Sequence, residues 1–247
     1  MNMYDRVPEG SERLSESEKV EQYVRSFEEP ADHLLTQLDE NIRKGEYSYI
    51  LGLDASGRIP ALIVGKYISE IYTQESRELP KRLFVAPQYE AVSTPQLKAL
   101  FSNSEKIKET KKKVLIIDDT LFSGDSLRDA TMELRKHGIP FDIGIFLAFN
   151  KDEEDIERIR IALDADALYV GEHTVFVDKF DDMNVVTPII KRKELSGVYR
   201  GYSSDNTFSR RNVSKKNIPD NSLFRLGRKY ATALAKDLME KHSQKVK

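Results

Sequence analysis

Val114-Leu115-Ile116-Ile117-Asp118-Asp119-Thr120-Leu121-Phe122-Ser123-Gly124-Asp125-Ser126-Leu127 sets an apolar run, two adjacent carboxylates and a small-residue loop directly before an amphipathic segment. The run at 114–117 predicts a strand that delivers Asp118 and Asp119 to the edge of a sheet. The loop that follows leads straight into a helix, whose first N–H groups lack backbone partners and carry a partial positive charge. Such a helix end holds phosphate well. Gly124 lets backbone approach an anion closely, and Ser123 and Ser126 add hydroxyl donors. Ionised carboxylates only accept hydrogen bonds, so Asp118 and Asp119 suit vicinal hydroxyls. Anion donors beside hydroxyl acceptors describe a sugar phosphate. An acidic pair after a strand also occurs in magnesium-dependent receiver domains and phosphatases, and Asp at a helix start is often a simple cap. Neither alternative accounts for Ser-Gly-Asp-Ser at this spacing.

Outward from this stretch the chain alternates strand and helix. The pattern predicts strands at 47–53, 83–86, 114–117, 141–149 and 167–170, with helices at 60–72, 126–137 and 152–163 between them. The strands are apolar on both faces, which indicates a parallel sheet covered on each side. The fold class is therefore α/β: a twisted parallel sheet of five strands flanked by helices, with N- and C-terminal extensions. In such folds the loops after the strands share one edge, where ligands bind. Upstream, residues 15–27 read as helical, Pro30 marks a place where a new helix can begin, and 31–44 is amphipathic with Gly45 as its C-terminal cap. The connection 88–113 is long and includes a predicted helix starting near Thr94-Pro95. Beyond Glu172 the rhythm breaks until 223–239, where helical spacing returns. This gives an arm and helix at 1–44, a core at 45–171 and an extension ending in a helix at 172–247.

The whole chain bounds the possibilities. Its 247 residues are 39% hydrophobic, enough for a substantial core. The 39 basic and 41 acidic residues nearly cancel, which argues against nucleic acid or anionic lipid as a general partner. With no cysteine, disulfides, zinc thiolates and thiol nucleophiles are excluded. No run approaches the roughly 18 apolar residues of a membrane span, and the polar N-terminal stretch lacks a secretory pattern. A cytoplasmic protein is the expectation. The four histidines, His33, His137, His173 and His242, are too scattered to suggest a metal site.

The 114–127 stretch resembles the phosphoribosyl-pyrophosphate motif of type I phosphoribosyltransferases: apolar residues, an acidic pair, then Ser/Thr-Gly-x-Ser/Thr. The element order from about 47 to 171 fits that family's core, roughly half the chain. The resemblance implies transfer of a 5-phosphoribosyl group from phosphoribosyl pyrophosphate (PRPP) to a nitrogenous acceptor, with pyrophosphate released, as in nucleotide metabolism. Asp118 and Asp119 would bind the ribose hydroxyls. Thr120, Phe122, Ser123, Gly124, Asp125 and Ser126 would wrap the 5′-phosphate. Mg²⁺ would be the cofactor, reached by the two carboxylates indirectly through ribose hydroxyls or water. A small-molecule acceptor and a homodimer are further implications. Two departures stand out. Asp125 brings a negative charge into the phosphate loop and is expected to face solvent. Phe122 offers no carboxylate where some purine enzymes of the family carry one, so no general base is evident.

The turn after the first predicted strand, Gly-Leu-Asp-Ala-Ser-Gly-Arg-Ile-Pro at 52–60, is similar to the family's pyrophosphate-binding turn. Ala55, Ser56, Gly57 and Arg58 match it, with Arg58 acting electrostatically on the leaving group alongside the acidic pair. Lys106, Lys108 and Lys111 to Lys113 fall where the family carries its flexible catalytic loop, but a solvated face is the preferred reading. His173 and Glu172 line the pocket mouth or form a surface pair. In the family a variable hood selects the acceptor. Phe176, Phe180, Tyr199, Tyr202 and Phe208 either stack on a base or build a small auxiliary core. A non-catalytic regulator that binds PRPP or a nucleotide is the rival class. The late basic residues Arg192, Lys193, Arg200, Arg210, Arg211, Lys215 and Lys216 would serve it, whereas an intact pyrophosphate turn favours the enzyme.

Overall fold

The computed structural model describes residues 14–53, 57–85, 95–122, 124–174 and 221–245. Its sheet has five parallel strands: β1 Tyr47–Leu53, β2 Lys81–Val85, β3 Lys113–Leu121, β4 Phe141–Phe149 and β5 Ala167–Thr174. They lie in the order β2-β1-β3-β4-β5. The helices are α1 Glu16–Arg25, α2 Glu28–Lys44, α3 Arg58–Gln74, α4 Pro95–Ser102, α5 Ser104–Glu109, α6 Asp125–Lys136, α7 Glu153–Ala162 and α8 Asn221–Lys245. The predicted α/β class holds.

Local signals start and stop these elements. Ser15 caps α1 in a reciprocal capping box with Glu18, and Asp152 does the same for α7 with Asp155. Gly45, at φ 75°, ends α2 in the left-handed conformation. Pro30 and Pro60 do not open their helices: each is the third residue, because α2 begins at Glu28 and α3 at Arg58. Both positions tolerate proline, since first-turn N–H groups have no helical acceptor.

Two strands run further than their apolar cores suggest. β3 continues through Asp118, Asp119 and Thr120 to Leu121, because β4 is long enough to pair with it as far as Leu121↔Ala148. β5 likewise continues through Glu172 and His173 to Thr174, opposite Phe149. The sheet is buried on both faces by two separate cores. One joins α1, α2, α3 and α8 to the residues Ile50, Leu115, Ile117 and Phe146. The other packs α4 to α7 on Leu51, Ile116, Ile143 and Ile145. Each fully buried Leu, Ile or Phe contributes about 1.5–3 kcal/mol.

Polar groups hold the helical layer in place. Gln37 and His33 of α2 bond the edge carbonyls of Val170 and Gly171 in β5. α8 is anchored by a buried chain in which Tyr67 meets His242 Nδ1 at 2.7 Å and His242 Nε2 meets Asp32 at 2.6 Å. Burial opposes the Asp32 charge, but hydrogen bonds from Lys241 and His242 outweigh it and hold its carboxyl below the ordinary value. A carboxylate can only accept, so His242 Nε2 donates. At the opposite end of the strands Asp142 has no exposed surface. It accepts from Tyr47 Oη at 2.8 Å, Asn41 Nδ2 at 3.3 Å and Lys113 Nζ at 3.2 Å. Burial, then the Asp142 charge, pushes the Tyr47 phenol far above its usual range.

Lys113→Met should remove about 3–5 kcal/mol of stability, because it strands a buried carboxylate. Adding Asp142→Asn should recover part of that loss, since the two sites are coupled. Denaturant titration of both variants checks this. A single variant within 1 kcal/mol of the parent would show that the other partners of Asp142 suffice.

Candidate active site

The two candidate loops meet because their strands are neighbours. β1 pairs with β3 in the register Gly52↔Ile117. From β1 the chain crosses through α3 on one face to β2. From β3, α6 on the other face precedes β4 on the far side. The C-terminal ends of β1 and β3 are thus a topological switch point, where open parallel sheets leave a crevice for ligands. Gly57 packs directly into this junction. A Cβ there would come within 2.3 Å of the Leu53 carbonyl oxygen and 3.1 Å of the Ile117 carbonyl oxygen. Only glycine lets the turn after β1 press onto backbone beside the acidic pair.

Strand alternation separates the two carboxylates. Leu115 and Ile117 belong to the α3 side of the sheet, and Val114 and Ile116 to the α6 side. Asp119 therefore continues the first row and Asp118 the second. Both are buried, at 7% and 1% exposure for Asp118 and Asp119. Asp118 Oδ1 accepts from the Asp119 N–H at 3.0 Å, which braces the strand end. Thr120 Oγ1 donates to Asp119 Oδ1 at 3.4 Å. Among the described residues the second oxygen of Asp119, Oδ2, is buried and has no hydrogen-bond partner. An ionised oxygen in that state is a vacant acceptor, costly until a donor arrives.

The residues between β3 and α6 follow at once. Phe122 is 62% exposed, and its ring centroid lies 6.2 Å from that of Phe149 at the end of β4. Gly124 takes φ 78°, where L side chains are strained, and forms the N-cap of α6. Asp125 is the first residue of α6 rather than part of the loop, and Ser126 is the second. The Asp125 carboxylate is exposed and pairs with Arg128 one turn on. Its charge thus lies on the helix flank, as expected. Arg128 escaped the sequence reading, although its i,i+3 spacing from Asp125 is the usual signal of a helical ion pair. Phe149 was read only as core.

Arg58 opens α3, with its guanidinium carbon 5.1 Å from the centroid of the Phe84 ring on β2. The turn residues Ala55 and Ser56, and Ser123 of the phosphate loop, lie outside the described residues. So do the aromatic candidates Phe176, Phe180, Tyr199, Tyr202 and Phe208, and the late basic cluster from Arg192 to Lys216. The lysines before β3 are remote from this edge. Lys108 pairs with Glu105 on α5, and Lys113 pairs with Asp142 at the start of the strand. His173 bonds the Lys151 carbonyl oxygen from β5.

The family model for a phosphoribosyl transferase domain matches residues 19–181. The chain belongs to that family. No curated protein and no solved structure matches it at a significant level. The phosphoribosyl transferase domain so delimited starts within α1 and contains the acidic pair, the glycine N-cap of α6 and Arg58. No helix among the described residues is long and apolar enough to cross a membrane.

Gly124→Val should weaken ribose-5-phosphate at least tenfold, whereas Ser126→Ala should cost only about 1 kcal/mol. Among the described residues beyond its chain neighbours, a Cβ at Gly124 would meet just one atom, Leu121 Cδ1 at 3.7 Å. The penalty is therefore conformational: the left-handed region costs a non-glycine residue roughly 1–2 kcal/mol, and a β-branched one suffers most. Titrations on variants shown by circular dichroism to be folded provide the test. Wild-type binding by the valine variant would mean that the loop before α6 is not a phosphate cradle.

Proposed function

We propose that this domain transfers the 5-phosphoribosyl group of PRPP to a nitrogen atom of a small acceptor, a nucleobase or a related heterocycle. The observation that carries this reading is the buried, unpartnered Asp119 Oδ2 beside a glycine-capped helix N-terminus. A hydroxyl donor and a phosphate acceptor are wanted within one turn of chain, and ribose 5-phosphate supplies both. In the reaction the bond from the anomeric carbon to pyrophosphate oxygen breaks as a nitrogen–carbon bond forms, and the acceptor nitrogen then loses its proton.

Each group has a distinct part. Asp119 accepts from a ribose hydroxyl and fixes the sugar. Asp118 braces the strand end through its bond from the Asp119 N–H and joins in holding the ribose from the other face of the strand. The first N–H groups of α6, with Ser123 and Ser126, hold the 5′-phosphate. Ala55, Ser56, Gly57 and Arg58 take the pyrophosphate, whose developing charge needs fixed positive partners. Among the described residues no three His, Asp or Glu side chains converge as a metal cage. The adjacent carboxylates Asp118 and Asp119 suit Mg²⁺, which keeps several waters and binds through one or two carboxylates and substrate oxygens. When bound, Mg²⁺ would neutralise pyrophosphate charge. The unit that does this chemistry is 45–171, with the residues after 172 as the hood that selects the acceptor, in a cytoplasmic homodimer.

Asp118→Asn with Asp119→Asn should abolish PRPP binding in calorimetry while the far-ultraviolet spectrum stays unchanged. Unaltered affinity would sink the sugar assignment. Turnover of labelled PRPP across a panel of nucleobases then distinguishes an enzyme from a regulator, which would bind without releasing pyrophosphate.

Arg58→Ala should weaken pyrophosphate and PRPP at least tenfold and leave ribose-5-phosphate within about twofold, because the turn after β1 faces only the leaving group. Equal weakening of all three ligands would move Arg58 away from the pyrophosphate.

A further inference from the structure

Part of the lysine run before β3 closes a recess at the N-terminal edge of the sheet. A cavity of about 70 Å³ there is lined by Lys81, the first residue of β2, by Lys106 of α5 and by Lys112, directly before β3. Among the described residues that line it, Glu78 is the one acidic group. None of the three ammonium groups is in an ion pair among the described residues, whereas Lys44, Lys108 and Lys113 each are. Buried Tyr49 and Ile107 give the recess an apolar wall, and Lys81 Nζ lies 5.7 Å from the centroid of the Tyr49 ring. The hydroxyls of the lining are already engaged. Thr110 Oγ1 donates to the Lys106 carbonyl oxygen at 2.8 Å, and Ser48 Oγ donates to that of Lys113 at 3.4 Å. The recess therefore offers mainly charge, three ammonium groups against one carboxylate, in a chain whose formal net charge is −2.

Like charges that share a recess with an apolar wall repel more strongly than in open water, and an anion set among them turns that repulsion into attraction. We propose that this recess binds one tetrahedral dianion of the phosphate type, either free phosphate or the terminal phosphoryl group of a small metabolite. A cavity of about 150 Å³ takes a benzene-sized molecule. One of about 70 Å³ thus admits a single phosphate and not a nucleobase. Lysine holds phosphate as a movable point charge rather than through the bidentate fork of arginine. The site therefore selects by charge and size, and releases its ion as salt rises. A nucleic-acid strand fits less well, because each diester phosphate carries one charge and brings two sugars for which the recess has no room. From Lys113 to Asp119, β3 runs roughly 20 Å. The recess is thus at the opposite end of the strand from the acidic pair. Ser48 sits where the β1–β3 register shifts, between Tyr47 and Tyr49, and Lys112 adjoins the Lys113 that pairs with Asp142. An ion held there ties the starts of β1, β2 and β3 together.

The test acetylates the full chain briefly with an amine-selective reagent and reads each lysine by mass spectrometry, in inorganic phosphate and in chloride at matched ionic strength. Phosphate should slow modification of Lys81, Lys106 and Lys112 at least threefold and leave Lys44 and Lys98 unchanged. Ribose 5-phosphate then distinguishes the sources. Protection by both compounds assigns a terminal phosphoryl group, and protection by inorganic phosphate alone assigns the free ion. In a background of Arg58→Ala with Gly124→Val, which disables the phosphate sites proposed above, inorganic phosphate should still raise the Tm. Adding Lys81→Gln with Lys106→Gln should weaken that binding at least tenfold, whereas Lys111→Gln, a neighbour outside the lining, should leave it unchanged. Glu78→Gln should tighten it several-fold, a gain that damage to the fold cannot imitate. Equal protection of every lysine, or no protection of the three, overturns the proposal. So does a loss in Lys111→Gln as large as in the double variant, or protection by short single-stranded DNA where phosphate gives none. The Arg58→Ala, Gly124→Val background should keep the lysine protection intact, so failure here and failure of the sugar-phosphate assignment are separable.

Discussion

Asp142, without exposed surface in the middle of the sheet's N-terminal edge, gathers Tyr47 of β1, Lys113 of β3 and Asn41 of α2. Asn41 extends the knot to Tyr169 of β5. A buried carboxylate is tolerable only when its charge is matched and its lone pairs are filled. Here both conditions hold only if β1, β3 and β4 are in register and α2 lies across β5. The apolar strands alone would permit slippage, since Val, Leu and Ile pack almost as well one pair along. The knot removes that freedom. It also explains why Lys113 is tied to the fold: burial opposes its charge, yet Asp142 and Asp166 together raise its pKa.

A register fixed at one end of parallel strands determines what arrives at the other. Tyr47 and Lys113 are paired at the start of β1 and β3, the register shifts once between Tyr47 and Tyr49, and the ladder then runs from Tyr49↔Val114 to Gly52↔Ile117. Gly57 lies so close that a Cβ on it would come 3.1 Å from the carbonyl oxygen of Ile117, directly before Asp118. Gly57 thus arrives beside the acidic strand end because β1 and β3 are neighbours in the sheet. Asp142 is partnered at one sheet edge, while at the other Asp119 Oδ2 has no partner among the described residues.

The sequence made much of this legible. β1 at 47–53 and β4 at 141–149 matched their apolar runs to the residue, because both strands are buried on both faces and bounded by polar residues. The ends of β3 and β5 were not visible, since Asp118, Asp119, Thr120, Glu172 and His173 have poor strand character and are held there by pairing with β4. Proline misled at Pro30 and Pro60, where helix starts were shifted by two residues. Of the candidate site, the acidic pair and Gly124 were readable from local pattern. The close fit required of Gly57 beside Ile117 was not, because it joins segments far apart in sequence.

The division between the two aspartates follows from pleat geometry. Adjacent residues in a strand project to opposite faces, so Asp118 and Asp119 cannot both approach one ligand from the same side while the strand remains regular. The structure satisfies one of them internally: Asp118 Oδ1 takes the N–H of Asp119. The other keeps Oδ2 buried and unmet. Leaving a charged acceptor unsatisfied costs more than an ordinary hydrogen bond returns, typically about 1–3 kcal/mol or more. A fold selected for stability alone would place a donor there, and a neutral neighbour such as Thr120 already donates to the other oxygen. The cost is recovered only when a ligand donor enters. Among the described residues that valence of Asp119 stays unfilled, set at the switch point where the sheet opens.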